Sequence, residues 1–328
     1  DATRIAEIAQ LAASGAGALA AQIHAFVTRF FTFAAPEDLA SFDVRTLAGM
    51  ALYAFELTQR RNPGQRKLEC FVPDAARHGF AVNGAVMVTV NDDRPFLYDS
   101  VLAELNAHGF TVAAVFHPIF GVVRDSDGVR TRIANAGEGA PRESVIFAVI
   151  ARETSEQRLD TARNGVAKVL EDVMAATRDW RAMLERLEDA IGDLQHRPPP
   201  IAPAELDESI AFLRWLSENH FTFLGCRDYV FDAQGGRHTP VAESGLGLLA
   251  DPEARVVRRG TDRATLTDEV RGYLTEANPL IITKANVRST VHRRVHQDYI
   301  GIKRFDASGH LTGERRFVGL FTSAAYHR

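Results

Sequence analysis

Apolar positions recur at helical spacing from the start of the chain: Ile5, Ile8 and Leu11, then Leu19, Ile23, Phe26, Val27 and Phe30. The stretch PEDLASFDVRTLAGMALYAFELTQRR continues the pattern. Pro36 precedes one short turn there, Leu47, Met50, Ala51, Ala54 and Leu57 line one face, and Asn62-Pro63-Gly64 is a stop signal. From residue 67 the pattern shortens to that of strands. KLECFV is followed by AVMVTV (85–90), by TVAAVFHPIFGVV (111–123) and by ESVIFAVIA (143–151). The last is apolar throughout, as suits a strand buried on both faces. Pro118 within the third run implies a bulge or an edge, and the polar stretch DSDGVRTRIANAGEGAPR before the last run is rich in turn formers.

The segment NDDRPFLYDSVLAELNAHGF, residues 91–110, links the second and third runs. It predicts a helix capped by Asp93, with Pro95 in its first turn, Leu97, Val101, Leu102 and Leu105 on its buried face and Gly109 just past its end. A second helix follows the last run, its start marked by Thr154 and Gln157 in a capping-box pattern. The order strand, helix, strand, strand, helix gives a ferredoxin-like α+β sandwich, an antiparallel sheet with two helices on one face. The second helix is unusually long. Val166, Leu170, Val173, Thr177, Trp180, Leu184, Leu187, Ile191 and Leu194 alternate in steps of four and three. That seam fits one long helix, or two in line, packed on its own domain; it equally fits a helix that pairs with a second copy.

The seam ends at HRPPPIAP, residues 196–203. Beyond it lie a helix and a strand (ELDESIAFLRWLSENHFTFLGCRDYVFD), the loop SGLGLLADP, a helix at 265–276, the extended PLIITKANVRSTVH, and two strands around a turn at Ala307-Ser308-Gly309. The expected organisation is a helical segment (1–64), a first α+β domain with its long helix (65–196), a proline-rich linker (197–204) and a second α+β module (205–328). The chain lacks an initiator methionine and stops at TSAAYHR, so the second module is expected to be cut short and the whole to be part of something longer.

Composition narrows the chemistry. With 328 residues, 46% of them hydrophobic and 24% charged, the chain has the makeup of a globular protein. A net charge of −4 argues against general binding to nucleic acid or anionic membranes. No run approaches a membrane span. Two cysteines, Cys70 and Cys226, form neither a disulfide framework nor a metal spacing, which points to a cytoplasmic protein with both thiols in the core. SGLGLLA (244–250) has dinucleotide-loop spacing without the strand before it or the helix after it, so it reads as a loop. Between 284 and 316 eight Lys or Arg face three Asp or Glu; solvated or internally paired strand faces are expected there, ahead of an acidic partner. His292 and His296 have no third ligand in sight, and Trp215, His220, Phe221 and Phe223 read as packing. No catalytic, cofactor or metal set stands out. The one candidate binding site is the start of the first helix, where free N–H groups suit a small carboxylate. Asn91, Asp93, Arg94, Asp99 and Ser100 are its candidate residues, able to read the two ends of an amino acid; plain helix capping by Asp93 is the alternative.

Several long motifs, in order, carry a family likeness: PEDLA with LAGMA, RRNPGQRKLECFVPD, NDDRPFLYDSV, HFTFLGCRDYVF with ESGLGLL, TKANVRSTVHRRVHQDYIGIKRFD, and GERRFVGLFTSAAYH. Together they resemble the N-terminal region of the large bacterial NAD-specific glutamate dehydrogenases, from about residue 35 onward. The resemblance implies regulatory modules of ACT type, which often bind amino acids at dimer interfaces. It also implies a cytoplasmic homo-oligomeric parent that interconverts glutamate and 2-oxoglutarate with NAD, through a catalytic domain downstream of this chain. No catalytic residue or cofactor site of that family transfers to this chain. In one respect the sequence departs from the pattern: an ACT domain follows its second helix with a fourth strand, whereas here the helix runs on to the prolines and KLECFV is left to complete the sheet.

Overall fold

The computed structural model describes residues 2–134, 137–231, 238–254, 256 and 278–326. Two compact units divide the chain, Asp1–Leu170 and Glu171–Arg328.

The first unit opens with helices α1 (Ala2–Ala13), α2 (Ala20–Phe31), α3 (Pro36–Ala40) and α4 (Val44–Leu57). Most of the predicted faces are buried, but Leu11 and Leu19 stay exposed, and Ala9 and Ala12 take the inward positions of α1 instead. Ile23, Phe26, Val27, Phe30 and Phe31 of α2 and Leu47, Met50, Ala51 and Ala54 of α4 share one core with the sheet that follows. The side chain of Asp43 caps α4 by accepting from the Thr46 N–H at 2.7 Å. Strands β1 (Lys67–Phe71) and β2 (Gly84–Asp92) flank the short α5 (Ala75–His78); then come α6 (Leu97–Ala107), β3 (Val112–Phe116), β4 (Ile119–Arg124), β5 (Arg130–Ile133), β6 (Arg142–Ala151) and α7 (Glu156–Arg178).

All pairings are antiparallel, in the order β1-β2-β6-β4-β5. Strand β3 also pairs β6, opposite Phe147–Ile150, whereas β4 takes up the ladder opposite Arg142–Ser144. The break between them falls at His117-Pro118, as the missing proline N–H requires. Strands β2 and β6 are buried on both faces because both are covered. Val86, Val88, Val90, Val145, Phe147 and Val149 point into the core shared with the N-terminal helices. The alternate residues face α6 and α7, where Val101, Leu105, Val166 and Leu170 are fully buried. Gly165 of α7 lies so close to α6 that a Cβ there would strike the Glu104 carboxylate. The ferredoxin-like arrangement is thus present with a permuted strand. The place beside β2 is taken by β1, which precedes the strand-helix-strand-strand-helix series, and α7 is tied to it by Arg163 donating to the Cys70 carbonyl and Arg66 to the Ala167 carbonyl.

In the second unit α8 (Trp180–His196) and α9 (Pro203–Trp215) precede β7 (Phe221–Phe231), β8 (His238–Pro240), β9 (Leu246–Gly247), β10 (Leu280–Arg288), β11 (His296–Phe305) and β12 (Leu311–Phe321). The sheet order is β10-β11-β12-β7-β8, with β9 also on β7, all antiparallel. Met183, Leu187 and Ile191 of α8 and Leu213 of α9 pack on Phe223, Ile300, Ile302 and Phe317. Leu249, Ile281, Tyr299 and Val318 form a smaller core apart from it. The helix expected at 265–276 lies outside the described residues.

Several expectations change in detail. The compact units do not follow the four expected segments: residues 1–64 share their core with the first sheet, and the proline stretch is a turn between two helices of the second unit, with Pro203 opening α9. The long helix breaks at Asp179 into α7 and α8. Of the seam, Val166, Leu170, Val173, Leu187 and Ile191 are buried within the chain, Leu184 is half-buried, and Trp180 remains 48% exposed. Ser155, not Thr154, accepts from the first-turn N–H of Arg158, at 3.4 Å. The basic stretch is largely paired internally. Lys284 meets Asp298 at 2.5 Å, Arg315 grips Asp228 with bonds of 2.7 and 2.9 Å, and Arg316 is buried over the Tyr229 ring.

Candidate functional site

The corner between β2 and α6 forms because the strand ends against β6 and the chain must reverse. The Asp93 N–H donates to the Arg142 carbonyl at 2.9 Å, extending the sheet by one bond. Pro95 cannot continue a ladder, and Phe96, at φ 71°, adopts the left-handed conformation that turns the backbone into α6. Phe96 therefore occupies the N-cap position, without a side-chain cap bond. Asp93 does not cap the helix as expected; its carboxylate lies 3.2 Å from the Arg142 guanidinium. Gly109, at φ 75°, closes the other end as predicted.

A depression of about 350 Å³ opens at this corner, lined by Asp93 to Asp99 together with His117 and Ile119. Three of the five candidate residues, Asp93, Arg94 and Asp99, line it. The other two do not reach it: Asn91 and Ser100 are 3% and 0% exposed, behind the corner. Arg94 is exposed and makes no ion pair among the described residues. The N–H groups at the start of α6 add partial positive charge.

Sequence reasoning missed the far wall. His117 stacks on Tyr98 with ring centroids 5.0 Å apart and planes 19° apart, and its Nε2 sits 2.9 Å from the Ser144 hydroxyl. Burial pushes the His117 imidazole below its usual range, against the pull of Asp93 and Asp99. The Tyr98 phenol is raised, first by burial. The signal was available in the His-Pro dipeptide, which interrupts an otherwise apolar run and so marks where a strand leaves its neighbour. Carboxylates, a guanidinium, helix N–H groups and a stacked imidazole can hold a small zwitterion.

Elsewhere the chemistry is structural. Burial raises both thiols, Cys70 and Cys226, to about 12, so neither is a ready nucleophile. No group of three or more His, Cys, Asp or Glu among the described residues could hold a metal ion. In SGLGLLA the glycines serve packing. Gly247, at φ 58°, sits where a Cβ would collide with the Leu224 carbonyl, and its N–H donates to the Asp179 carboxylate at 2.9 Å. No described helix is long and apolar enough to cross a membrane.

Comparison with known proteins agrees with this architecture. Residues 26–166 match the family described as glutamate dehydrogenase, ACT1 domain, a span that runs from α2 into α7 and contains the whole first sheet. The chain is 32% identical over 314 residues to the NAD-specific glutamate dehydrogenase of Halomonas elongata, covering 94% of this chain and 19% of that protein. It is 30% identical over 313 residues to the NAD-specific glutamate dehydrogenase of Pseudomonas aeruginosa, covering 93% and 19%. The chain spans about one fifth of the length of these curated relatives. An ACT1-type module with a permuted edge strand, inside a match that runs almost end to end, places this chain in the N-terminal region of the NAD-specific glutamate dehydrogenase family.

Proposed function

We propose that this chain is a non-catalytic regulatory region of a large NAD-dependent glutamate dehydrogenase, and that the corner between β2 and α6 binds an amino-acid effector. The parent would oxidatively deaminate glutamate to 2-oxoglutarate and ammonia, in a catalytic domain beyond this chain that alone would hold NAD. The observation that carries the reading is the cavity itself: it opens at a helix start of the ACT1-matching segment and is lined by carboxylates and by the Arg94 guanidinium, which makes no ion pair among the described residues. In this reading Arg94 and the first N–H groups of α6 take the effector carboxylate, and Asp93 and Asp99 face its ammonium.

Thermal unfolding against a panel of amino acids and 2-oxoglutarate tests it. A ligand at a hundred times its Kd adds about 2.7 kcal/mol, a shift that Arg94→Gln should abolish. A second reading, a scaffold between subunits without a ligand, is favoured by one observation: Asp93 is already engaged by Arg142. Silence toward every candidate ligand, in a chain that is oligomeric in solution, would establish the scaffold instead.

A further inference from the structure

A second concavity of the first unit, about 680 Å³, lies between α2 and the strand layer. One wall is the outward stripe of α2: His24, Thr28 and Thr32 recur every four residues, with Arg29 beside them. This is the helix face left over once Ile23, Phe26, Val27 and Phe30 enter the core. The other wall is Ile119 and Gly121 of β4, Ile133 of β5, Gly137 and Gly139, and Arg142 at the start of β6.

The charge of this cleft is one-sided. Among the described residues that line it, Arg29 and Arg142 are the charged groups, His24 adds an imidazole, and there is no carboxylate. Helix α2 carries no Asp or Glu at all. Arg29 rests over the Phe33 ring at 5.5 Å and forms no ion pair among the described residues. The carboxylate of Glu138, in the adjoining connection, is drawn to Arg132 at 2.8 Å. Arg142 meets Asp93 at 3.2 Å with its side chain 63% exposed, so it can turn toward the cleft at small cost. Gly137 and Gly139 adopt φ of 87° and 68°, and a Cβ at either would touch nothing, which leaves this stretch of backbone bare on that wall.

We propose that this cleft binds a small organic anion, held by the Arg29 and Arg142 guanidinium groups. Its volume suits a metabolite-sized ligand. Two guanidinium forks facing a wall without acid suit a carboxylate or a phosphate oxygen set, which they recognise alike. The site is distinct from the depression at the corner of β2 and α6, though the two share Ile119 and are bridged by the Asp93–Arg142 pair.

The test titrates the full chain with succinate and, separately, with glycerol phosphate by calorimetry, at about 0.15 M salt, where the screening length is ~8 Å. Arg29→Gln removes a cleft cation without touching the other depression; Arg45→Gln, on the exposed face of α4, makes the same charge change elsewhere. Saturable binding of either probe, weakened about tenfold or more by Arg29→Gln and unchanged by Arg45→Gln, is the expected result. A response to succinate alone identifies a carboxylate site, and one to glycerol phosphate alone a phosphate site. No saturable binding of either probe, or equal loss in both variants, overturns the proposal. Because Arg94→Gln leaves this cleft intact, failure here and failure of the amino-acid site are read separately.

Discussion

The buried carboxylate of Glu143 is the strongest single stake in the first unit. It receives Arg124 through two bonds of 2.9 and 2.8 Å and Arg61 through one of 3.0 Å, and Arg61 also reaches Asp92 at 2.6 Å. Arg124 in turn donates to the carbonyls of Thr58, Gln59 and Gly128, so this charge cluster joins the end of the N-terminal helices to the sheet. Glu143→Gln keeps the shape but sets an amide N–H₂ against guanidinium donors and leaves two buried cations facing one remaining carboxylate. Breaking a buried pair from one side costs about 3–5 kcal/mol, and the lower end applies here because Asp92 still holds Arg61. For a unit of this size, 3 kcal/mol corresponds to a fall of roughly 6–12 °C in Tm. Differential scanning calorimetry reads it directly. Glu138→Gln, whose pair with Arg132 is exposed, is the control and should cost under about 1 kcal/mol. If Glu143→Gln moved the transition no further than Glu138→Gln, the assignment of Glu143 as the buried counter-charge would fail.

Two further outcomes follow from the packing. Gly49→Ala should destabilise by about 1–3 kcal/mol despite the better helix propensity of alanine, because the new methyl meets the Gly79 carbonyl and the Phe80 Cβ; equal or higher stability in urea titration would show that the α4 contact is slack. Asp228 is raised by burial, yet the paired bonds and charge of Arg315, with Arg304 and Arg186 behind it, bring its carboxyl below the ordinary value of 3.8. Its contribution is then present above the unfolded pKa and lost as pH falls through the lower folded one. Wild type should therefore lose stability more steeply than Asp228→Asn on acidification below about pH 4, and parallel curves would refute the pairing.

Much of the architecture was legible because it rests on period and punctuation. Helical spacing in 5–57, the doubly buried run 143–151 and the glycine after α6 all reappear where they were expected, since burial of a face is written directly as a repeat of apolar residues. The permuted edge was legible too: KLECFV was the one strand left over, and an antiparallel sheet accepts it from either end of the chain. The candidate site was half legible. The stretch 93–99 lies at one corner because it is contiguous, but His117 at the β3–β4 break, Ile119 of β4 and Ser144 of β6 meet it through register alone.

Apolar positions, most helix and strand runs, and the order of a small alternating module before a second one can all be read along the chain. What the polar residues do was set by the folded arrangement. Asp93 pairs with Arg142 across the end of β2 and β6 instead of capping its own helix, because the β6 backbone brings Arg142 within reach. Of the solvated and paired alternatives open for the basic residues of 284–316, most take the second, turning inward or pairing with carboxylates on neighbouring strands. The heptad-like seam is consumed mostly inside the chain, since a row of apolar side chains records that something must cover it without recording what. Apolar burial is a local, additive preference, whereas the pairing of a charge depends on a partner whose distance along the sequence is set by the fold.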